Sequence, residues 1–265
     1  MTGLSKGKLL LLGSFIILQA VPSRVTAQWN TGGDIDPNWI HFGFQLGAAT
    51  NSFVVYKQAD FNSNAYRLGE PAGNGGKAGP VTSGNLSFVQ STWTPGFVLG
   101  LLANFRLSDN LDIRFTPGVN FSDRNLYFGY ESLTFTGTNY ANPVIKVVSS
   151  TYLDFPLLLK FKSDRKRNIR SYLIGGLQYS YDIIPKKKTE DAGLTEIAKL
   201  VKIQKNGLSY RVGLGLDLYY EYFKMSPEIS VTNSLVNVLT AEHHVFSRPI
   251  KSLYPTSIQL SLYFE

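Results

Sequence analysis

The stretch "TYLDFPLLLKFK", residues 151–162, is almost entirely apolar, yet it contains Asp154, Pro156 and Lys160. Neither the buried strand of a soluble protein nor a membrane-spanning helix accommodates these three residues easily. A β-strand resolves the conflict, because its successive side chains point to opposite faces. One face then carries Leu153, Phe155, Leu157, Leu159 and Phe161, and the other carries Asp154, Pro156, Leu158, Lys160 and Lys162. This split predicts a strand with lipid on one face and a polar interior on the other.

The same period of two recurs along the chain. In "LDIRFTPGVNFS", residues 111–122, every odd position is apolar or proline, and every even position is polar, charged or glycine. Each segment with this pattern is long enough to cross a bilayer as a tilted strand of about 9–11 residues. Eight such segments are predicted, at roughly 40–56, 93–107, 111–128, 151–163, 171–184, 208–220, 223–234 and 254–265.

The connections between these segments alternate between long and short. The long ones are 57–92, 129–150, 185–207 and 235–253, and the short ones are 108–110, 164–170 and 221–222. Such alternation is typical of an outer-membrane barrel and is not expected of an immunoglobulin-like sandwich. The predicted fold class is therefore all-β, an eight-stranded antiparallel up-and-down transmembrane β-barrel with long extracellular loops and short periplasmic turns.

The N-terminal region has the pattern of a secretory signal peptide. Lys6 and Lys8 precede an apolar run at residues 9–20, and "VTA" at 25–27 supplies small residues for cleavage. The prediction is a signal peptide over 1–27 and a single outer-membrane barrel domain over 28–265. A retained N-terminal anchor helix is the alternative, although polar or helix-breaking residues interrupt it at Gly13, Ser14, Gln19 and Pro22.

Charge and composition restrict the function classes. Cleavage would remove three basic residues and no acidic one, which takes the net charge from +7 to +4. The basic character of the full chain therefore gives no reason to expect nucleic acid as a partner. The chain has no cysteine, which excludes disulfides, thiolate metal sites, a cysteine nucleophile and a lipidated cysteine.

The polar faces of the predicted strands carry charges of both signs. An eight-stranded barrel has an interior that side chains fill, so these charges are expected to pair in a closed lumen. The predicted lumen network, from the periplasmic half to the outer half, is Arg106, Asp112, Arg114, Lys160, Asp217, Lys224 and Glu228, then Asp154, Asp182 and Arg211. Because Pro156 has no backbone N–H, a bulge or a missing hydrogen bond is expected there, opposite Pro117 on the preceding strand. A bulge would shift the parity of one half of the strand and could reverse the face of Asp154, whereas the apolar row at 157, 159 and 161 assigns Lys160 inwards directly.

Two surface features are open to more than one interpretation. The turn "KSDRKRNIR", residues 162–170, is either a solvated turn or a docking patch for a periplasmic partner, formed by Arg165, Lys166, Arg167 and Arg170. The triplet "KKK" at 186–188 would lie at the opposite rim, near lipopolysaccharide. Aromatic residues at predicted strand ends are expected to form interfacial girdles: Trp93, Tyr127, Phe128, Tyr130, Tyr219, Tyr220, Tyr222 and Phe223.

Nothing in the sequence predicts catalysis or cofactor binding. His243 and His244 adjoin Glu242, but no further set at metal-ligand spacing accompanies them, so solvated loop residues are expected. The glycine-rich "GNGGKAG" at 73–79 lacks the setting of a phosphate loop and is interpreted as part of a flexible extracellular loop. We expect a non-enzymatic protein without cofactor, metal or small-molecule substrate, with outer-membrane lipids, including lipopolysaccharide, among its partners.

Several of these segments resemble outer-membrane barrel proteins of the PorT type. The similarity is carried by "STYLDFPLLLKFKSDRKRNIRSYLIGG" (150–176), "TPGFVLGLLANFRLSDNLDIRFTPGVNFSDRNLYF" (94–128), "FGFQLGAATNSFVVY" (42–56) and "IQLSLYFE" (258–265). This resemblance implies a component required by type IX protein secretion, a system that also serves gliding motility in related proteins. Other proteins of the secretion system would then be partners. The alternative is a small structural or adhesive barrel that acts through its extracellular loops.

Overall fold

The computed structural model of the chain describes residues 38–68, 81–135, 138–139, 142–183 and 199–265. The predicted signal peptide, the glycine-rich segment at 73–79 and the triplet at 186–188 lie outside these residues. The strands are β1 (Ile40–Lys57), β2 (Val81–Ser83), β3 (Leu86–Thr92), β4 (Thr94–Arg106), β5 (Leu111–Phe115), β6 (Gly118–Tyr130), β7 (Leu133–Phe135), β8 (Thr138–Asn139), β9 (Val144–Lys162), β10 (Ile169–Asp182), β11 (Asn206–Tyr219), β12 (Lys224–Ser234) and β13 (Ile250–Phe264).

The main sheet closes into a barrel. Strand β1 pairs with β13 on one side and with β4 on the other, and every neighbouring pair is antiparallel. Strands β3 and β4 succeed each other along one position in the wall, and β5 and β6 do the same, which gives eight wall positions. The predicted fold class is confirmed. The predicted segments coincide with wall strands to within a few residues, except that β9 begins seven residues early and the wall strand β3 lies in the predicted connection 57–92.

The two ends of the barrel differ. The end formed by the β4–β5, β9–β10 and β11–β12 turns is called the short-turn end, and the opposite one the long-loop end. Towards the long-loop end, β9 begins at Val144 and β13 at Ile250, before the predicted starts at 151 and 254. Strands β2, β7 and β8 form a small separate sheet there. The only described helix is one 3₁₀ turn at Asn64–Tyr66, and none in this part of the chain could cross a bilayer.

The outward and inward faces follow the period of two. Along β9 the even-numbered side chains are buried in the interior, while Phe155, Leu157, Leu159 and Phe161 are exposed on the outer surface. The other wall strands show the same exposed apolar face, for example at Leu101 on β4. A continuous apolar outer surface of this kind fits a lipid environment and would be unstable in water.

The wall keeps its register at Pro156, where a bulge was one of two expected irregularities. Phe115 stands opposite Leu157, and Gly118 stands opposite Asp154, so the register is the same on both sides of the β5–β6 gap. The expectation of a bulge is therefore wrong. The structure instead has the other expected irregularity, a missing hydrogen bond.

The missing bond lies between Pro156 and Thr116, so the expected partner Pro117 is wrong by one residue. The N–H of Thr116 donates to the carbonyl of Pro156 at 3.4 Å. In an antiparallel pair the reciprocal bond would run from residue 156 to the carbonyl of residue 116, and proline has no N–H to donate. Since the register does not shift, both Asp154 and Lys160 remain on the inward face, and the doubt about Asp154 is removed.

Candidate functional site

The barrel interior contains nearly all of the charges that strand alternation assigns to it. All ten residues of the predicted network are described, and nine are at most 4 % exposed: Asp112, Arg114, Asp154, Lys160, Asp182, Arg211, Asp217, Lys224 and Glu228. Arg106 is the exception, because it lies where β4 enters its turn and pairs with the exposed Asp109. Its predicted place in the lumen is wrong, since the strand ends there and water is accessible.

Arg114 is the centre of the interior near the short-turn end. Its side chain is fully buried and donates from Nη1 to Oε2 of Glu228 at 2.8 Å. The guanidinium lies over the rings of Tyr172 and Tyr263, at 5.1 and 4.7 Å from their centroids. The hydroxyls of these tyrosines donate to Glu228 at 2.9 and 3.1 Å. The Glu228 carboxylate thus has three donors, which a buried charge requires.

Lys160 and Asp217 form a second buried pair. The Lys160 ammonium donates to both carboxylate oxygens of Asp217, at 2.8 and 2.7 Å. Ser226 donates a further hydrogen bond to Asp217 at 2.6 Å. Both charged side chains have zero relative exposure, so the pair is shielded from solvent and salt.

Two ion pairs extend this network to the short-turn end. Lys162 donates to Asp112 at 2.5 Å, and Lys224 pairs with Glu265. Glu265 also lies 3.8 Å from Arg114. The predicted network omits Lys162 and Glu265, although strand alternation puts both on inward rows. Tyr172 and Tyr263 are also absent from it, because pairing across the lumen depends on how the strands are arranged around the ring.

A glycine makes room for one of these tyrosines. A Cβ at Gly215 would lie 2.4 Å from the Tyr172 hydroxyl oxygen. Gly215→Ala is therefore expected to displace Tyr172 from Glu228 and to lower the free energy of unfolding by about 1–3 kcal/mol, the usual effect of overpacking. Urea unfolding in detergent micelles measures it. The added Cβ would also lie 2.8 Å from the Pro227 carbonyl oxygen, so in a Tyr172→Leu background the same substitution should keep only part of its effect. An equal effect in both backgrounds would contradict the steric role of Tyr172.

The interior nearer the long-loop end is polar but has fewer charges. Asp154 accepts hydrogen bonds from Ser180 at 2.6 Å and Asn120 at 3.0 Å. Arg211 donates to Gln259 at 2.5 Å and to Thr232 at 3.2 Å. Beside Asp154 lies a cavity of ≈ 40 Å³. That is room for about three waters, and it is far too small for a protein substrate.

An apolar cluster closes the long-loop end. It contains inward side chains of β1, β3, β6, β9 and β13 together with Val238, Leu239 and Phe246 from the β12–β13 connection. Phe246 is fully buried, and its ring packs edge-on against Phe128 at 5.0 Å. We call the segment 235–249 the cap. Alternation alone gives no sign of it, because the cap is irregular and folds back into the barrel mouth.

His244 belongs to this packed region, so its expected solvation is wrong. It is 5 % exposed, lies 3.1 Å from Glu242, and accepts the N–H of Phe246 at 3.2 Å. His243 is exposed, as expected of a loop residue. Within the described ranges no group of three or more His, Asp or Glu side chains could hold a metal ion.

The basic turn at 162–170 is only partly available as a docking patch. Arg170 is 8 % exposed and donates to the carbonyls of Ser163 at 2.6 Å and Asp109 at 2.7 Å, so it holds two turns together. Arg165 is half-buried, with its guanidinium 3.9 Å from the Tyr219 ring. Lys166 and Arg167 are exposed. The four-residue patch is therefore wrong for Arg170 and reduces to an exposed pair.

The aromatic girdle also differs from the prediction. Trp93, Tyr220, Tyr222 and Phe223 are exposed near strand ends, as an interfacial girdle requires. Phe128, Tyr130 and Tyr219 are at most 3 % exposed and lie inside, so their assignment to the girdle is wrong. Strand β6 continues to Tyr130, and its inward positions Phe128 and Tyr130 contribute to the apolar cluster.

Comparisons with known proteins agree with this architecture. A family model described as "Outer membrane protein beta-barrel domain" matches residues 27–240. The outer membrane protein OprG from Pseudomonas aeruginosa is similar in structure, with 12% identity, a TM-score of 0.41, and coverage of 84% of this chain and 91% of that one. Neisserial surface protein A has 10% identity, a TM-score of 0.37, and coverage of 85% and 98%. AlkL has 15% identity, a TM-score of 0.34, and coverage of 92% and 95%. A search of curated proteins gives no match.

Proposed function

Because this chain belongs to the outer membrane protein beta-barrel domain family and lies in the outer membrane, we propose that it is a non-enzymatic accessory subunit of type IX protein secretion. The resemblance of residues 94–128 and 150–176 to PorT-type barrels supports the system. In this role the barrel acts by binding other secretion proteins, and a larger partner provides the path for cargo.

The filled interior is the observation that carries the proposal. The Arg114–Glu228 and Lys160–Asp217 pairs occupy the lumen near the periplasmic end, and Phe246 occupies the extracellular mouth. A folded or extended cargo chain would have to displace several buried ion pairs. Separating the partners of a buried ion pair strongly destabilises the protein. Binding at a rim is therefore the better-supported mode of action.

Deletion of the gene tests the proposal. Cargo that carries the C-terminal signal of the type IX system is expected to disappear from the medium and to accumulate inside the cells. An exported protein that uses another route serves as the control and should be unaffected. Complementation with the wild-type gene should restore secretion. Normal secretion of signal-bearing cargo in the deletion strain would reject the proposed function.

The same strain distinguishes the alternative, a structural or adhesive barrel. Complementation with a variant shortened within 69–80 and 185–198, which leaves the wall strand β3 intact, should restore secretion if the periplasmic side acts. A variant with Lys166→Gln and Arg167→Gln should then reduce affinity capture of the secretion partner. If instead the loop deletions abolish a surface interaction and secretion is intact throughout, the adhesive function is favoured.

A further inference from the structure

Two grooves meet at Lys251, near the extracellular end of β13: one lies on the outer face of the wall, and the other lies against the cap. The lower one, here the aromatic groove, has a volume of ≈ 610 Å³, and its lining includes Val54, Tyr56, Tyr210 and Tyr254. The upper one, here the basic groove, has a volume of ≈ 370 Å³, and its lining includes Tyr66, His243 and Arg248. Lys251 lines both, so they form one continuous surface that changes from apolar to cationic.

A register shift places Lys251 on this surface. Tyr56 stands opposite Ser252, whereas Lys57 stands opposite Ile250, so Lys251 is an extra residue in β13. A bulge of this kind puts two consecutive side chains on one side of the sheet. Ile250 is buried, while Lys251 is exposed. The bulge therefore turns a lysine outwards at a position where simple alternation does not predict it.

The cationic groups here are not neutralised by acidic side chains. No ion pair of Lys57, Arg248 or Lys251 occurs among the described residues; Lys57 lies 4.5 Å over the Phe61 ring, and Arg248 lies 5.5 Å over the Tyr66 ring. Burial, together with the hydrogen bond that Tyr66 donates to Asp60, raises the pKa of the Tyr66 hydroxyl.

The one acidic residue that lines the basic groove is already paired. Glu242 accepts a hydrogen bond from Lys202 at 2.7 Å and lies 3.1 Å from His244. No carboxylate among the residues that line the groove is therefore left without a partner.

The height of this surface matches a lipid headgroup. Along the outer face of β13, Leu262, Leu260 and Ile258 are apolar, and Tyr254 then marks the level of an interfacial aromatic. Lys251 lies three residues farther along the strand, which is roughly 7–8 Å along the membrane normal for a strand tilted by about 40°. The polar layer of one leaflet is about 5–7 Å thick, so Lys251 lies at its outer edge.

We infer that the aromatic and basic grooves together bind a phosphorylated lipid of the outer leaflet, with acyl chains along Val54 and Tyr254 and phosphate at Arg248 and Lys251. The apolar part excludes a purely soluble anion as the best ligand, and the unpaired cations supply the attraction for phosphate. This site goes beyond the proposed function and does not depend on it.

Native mass spectrometry of the purified barrel tests the inference, with bisphosphorylated lipid A as the probe. The double variant Arg248→Gln/Lys251→Gln is expected to bind it about 10–30-fold more weakly than wild type, since each basic residue near an anionic lipid contributes roughly five-fold. The matched control Lys166→Gln/Arg167→Gln removes the same charge at the periplasmic rim and should bind like wild type. Heat-dependent migration on a gel shows that each variant is folded.

Three results would overturn the inference. They are equal binding by the two double variants, equal binding of dephosphorylated lipid A by the wild type, and complete displacement of lipid A by millimolar inorganic phosphate, which would indicate a site for a soluble anion. If the Arg248→Gln/Lys251→Gln variant does not fold, the single variant Lys251→Gln and the comparison of the two lipid probes on the wild type decide the question.

Discussion

Replacing Asp217 with leucine is expected to lower the free energy of unfolding by about 3–5 kcal/mol. The substitution leaves the ammonium of Lys160 fully buried without the two carboxylate oxygens that now accept its hydrogen bonds. It also removes the acceptor of Ser226. Most of this effect arises from the unpaired charge that remains on Lys160. Only a small part arises from the lost attraction between Lys160 and Asp217.

A double-mutant cycle makes this explanation specific. Lys160→Met alone should also be destabilising, because it leaves the Asp217 carboxylate buried, whereas the double variant Lys160→Met/Asp217→Leu should be much closer to wild type. Urea unfolding of the refolded barrel in lipid vesicles, followed by tryptophan fluorescence, measures all four proteins. If the double variant loses as much stability as the two single variants combined, the pair is not a coupled unit and the explanation fails.

Replacing Phe246 with alanine is expected to cost about 3–5 kcal/mol in the stability of the cap. The Phe246 ring is fully buried, contacts Phe128, and lies 4.1 Å below the ammonium of Lys146. Truncation leaves a cavity at the centre of the apolar cluster and removes the main side chain that attaches segment 235–249 to the barrel mouth.

Hydrogen exchange of peptides from residues 235–249 measures this effect locally. Faster exchange is expected in Phe246→Ala, with little change in peptides from β10 or β11, because the cap can open without unfolding the wall. Leu235→Ala is the matched control, since Leu235 is 51% exposed and lies in the same segment. Unchanged protection of the cap in Phe246→Ala would show that Phe246 does not hold the mouth closed.

The orientation of most interior charges was predictable from the sequence. A period of two is a local property of a strand, so Asp154, Lys160 and Asp217 are assigned to a face by their neighbours alone. The same local argument assigns Glu265 and Lys162 inwards. Arg106 shows the limit of strand alternation as a predictor. Alternation gives the direction of a side chain but not the depth at which the wall stops excluding water.

What the sequence by itself determined is the barrel: the number of wall strands, their lipid-facing rows and the alternation of long and short connections all follow from hydrophobic period and spacing. Only the tertiary structure decided which charges meet. Arg114 and Glu228 are 114 residues apart and pair because closure of the ring brings β5 opposite β12 across the lumen. The cap and the basic groove likewise depend on an irregular segment and a bulge. Neither has a period that a local pattern could reveal, since their contacts exist only once the wall is closed.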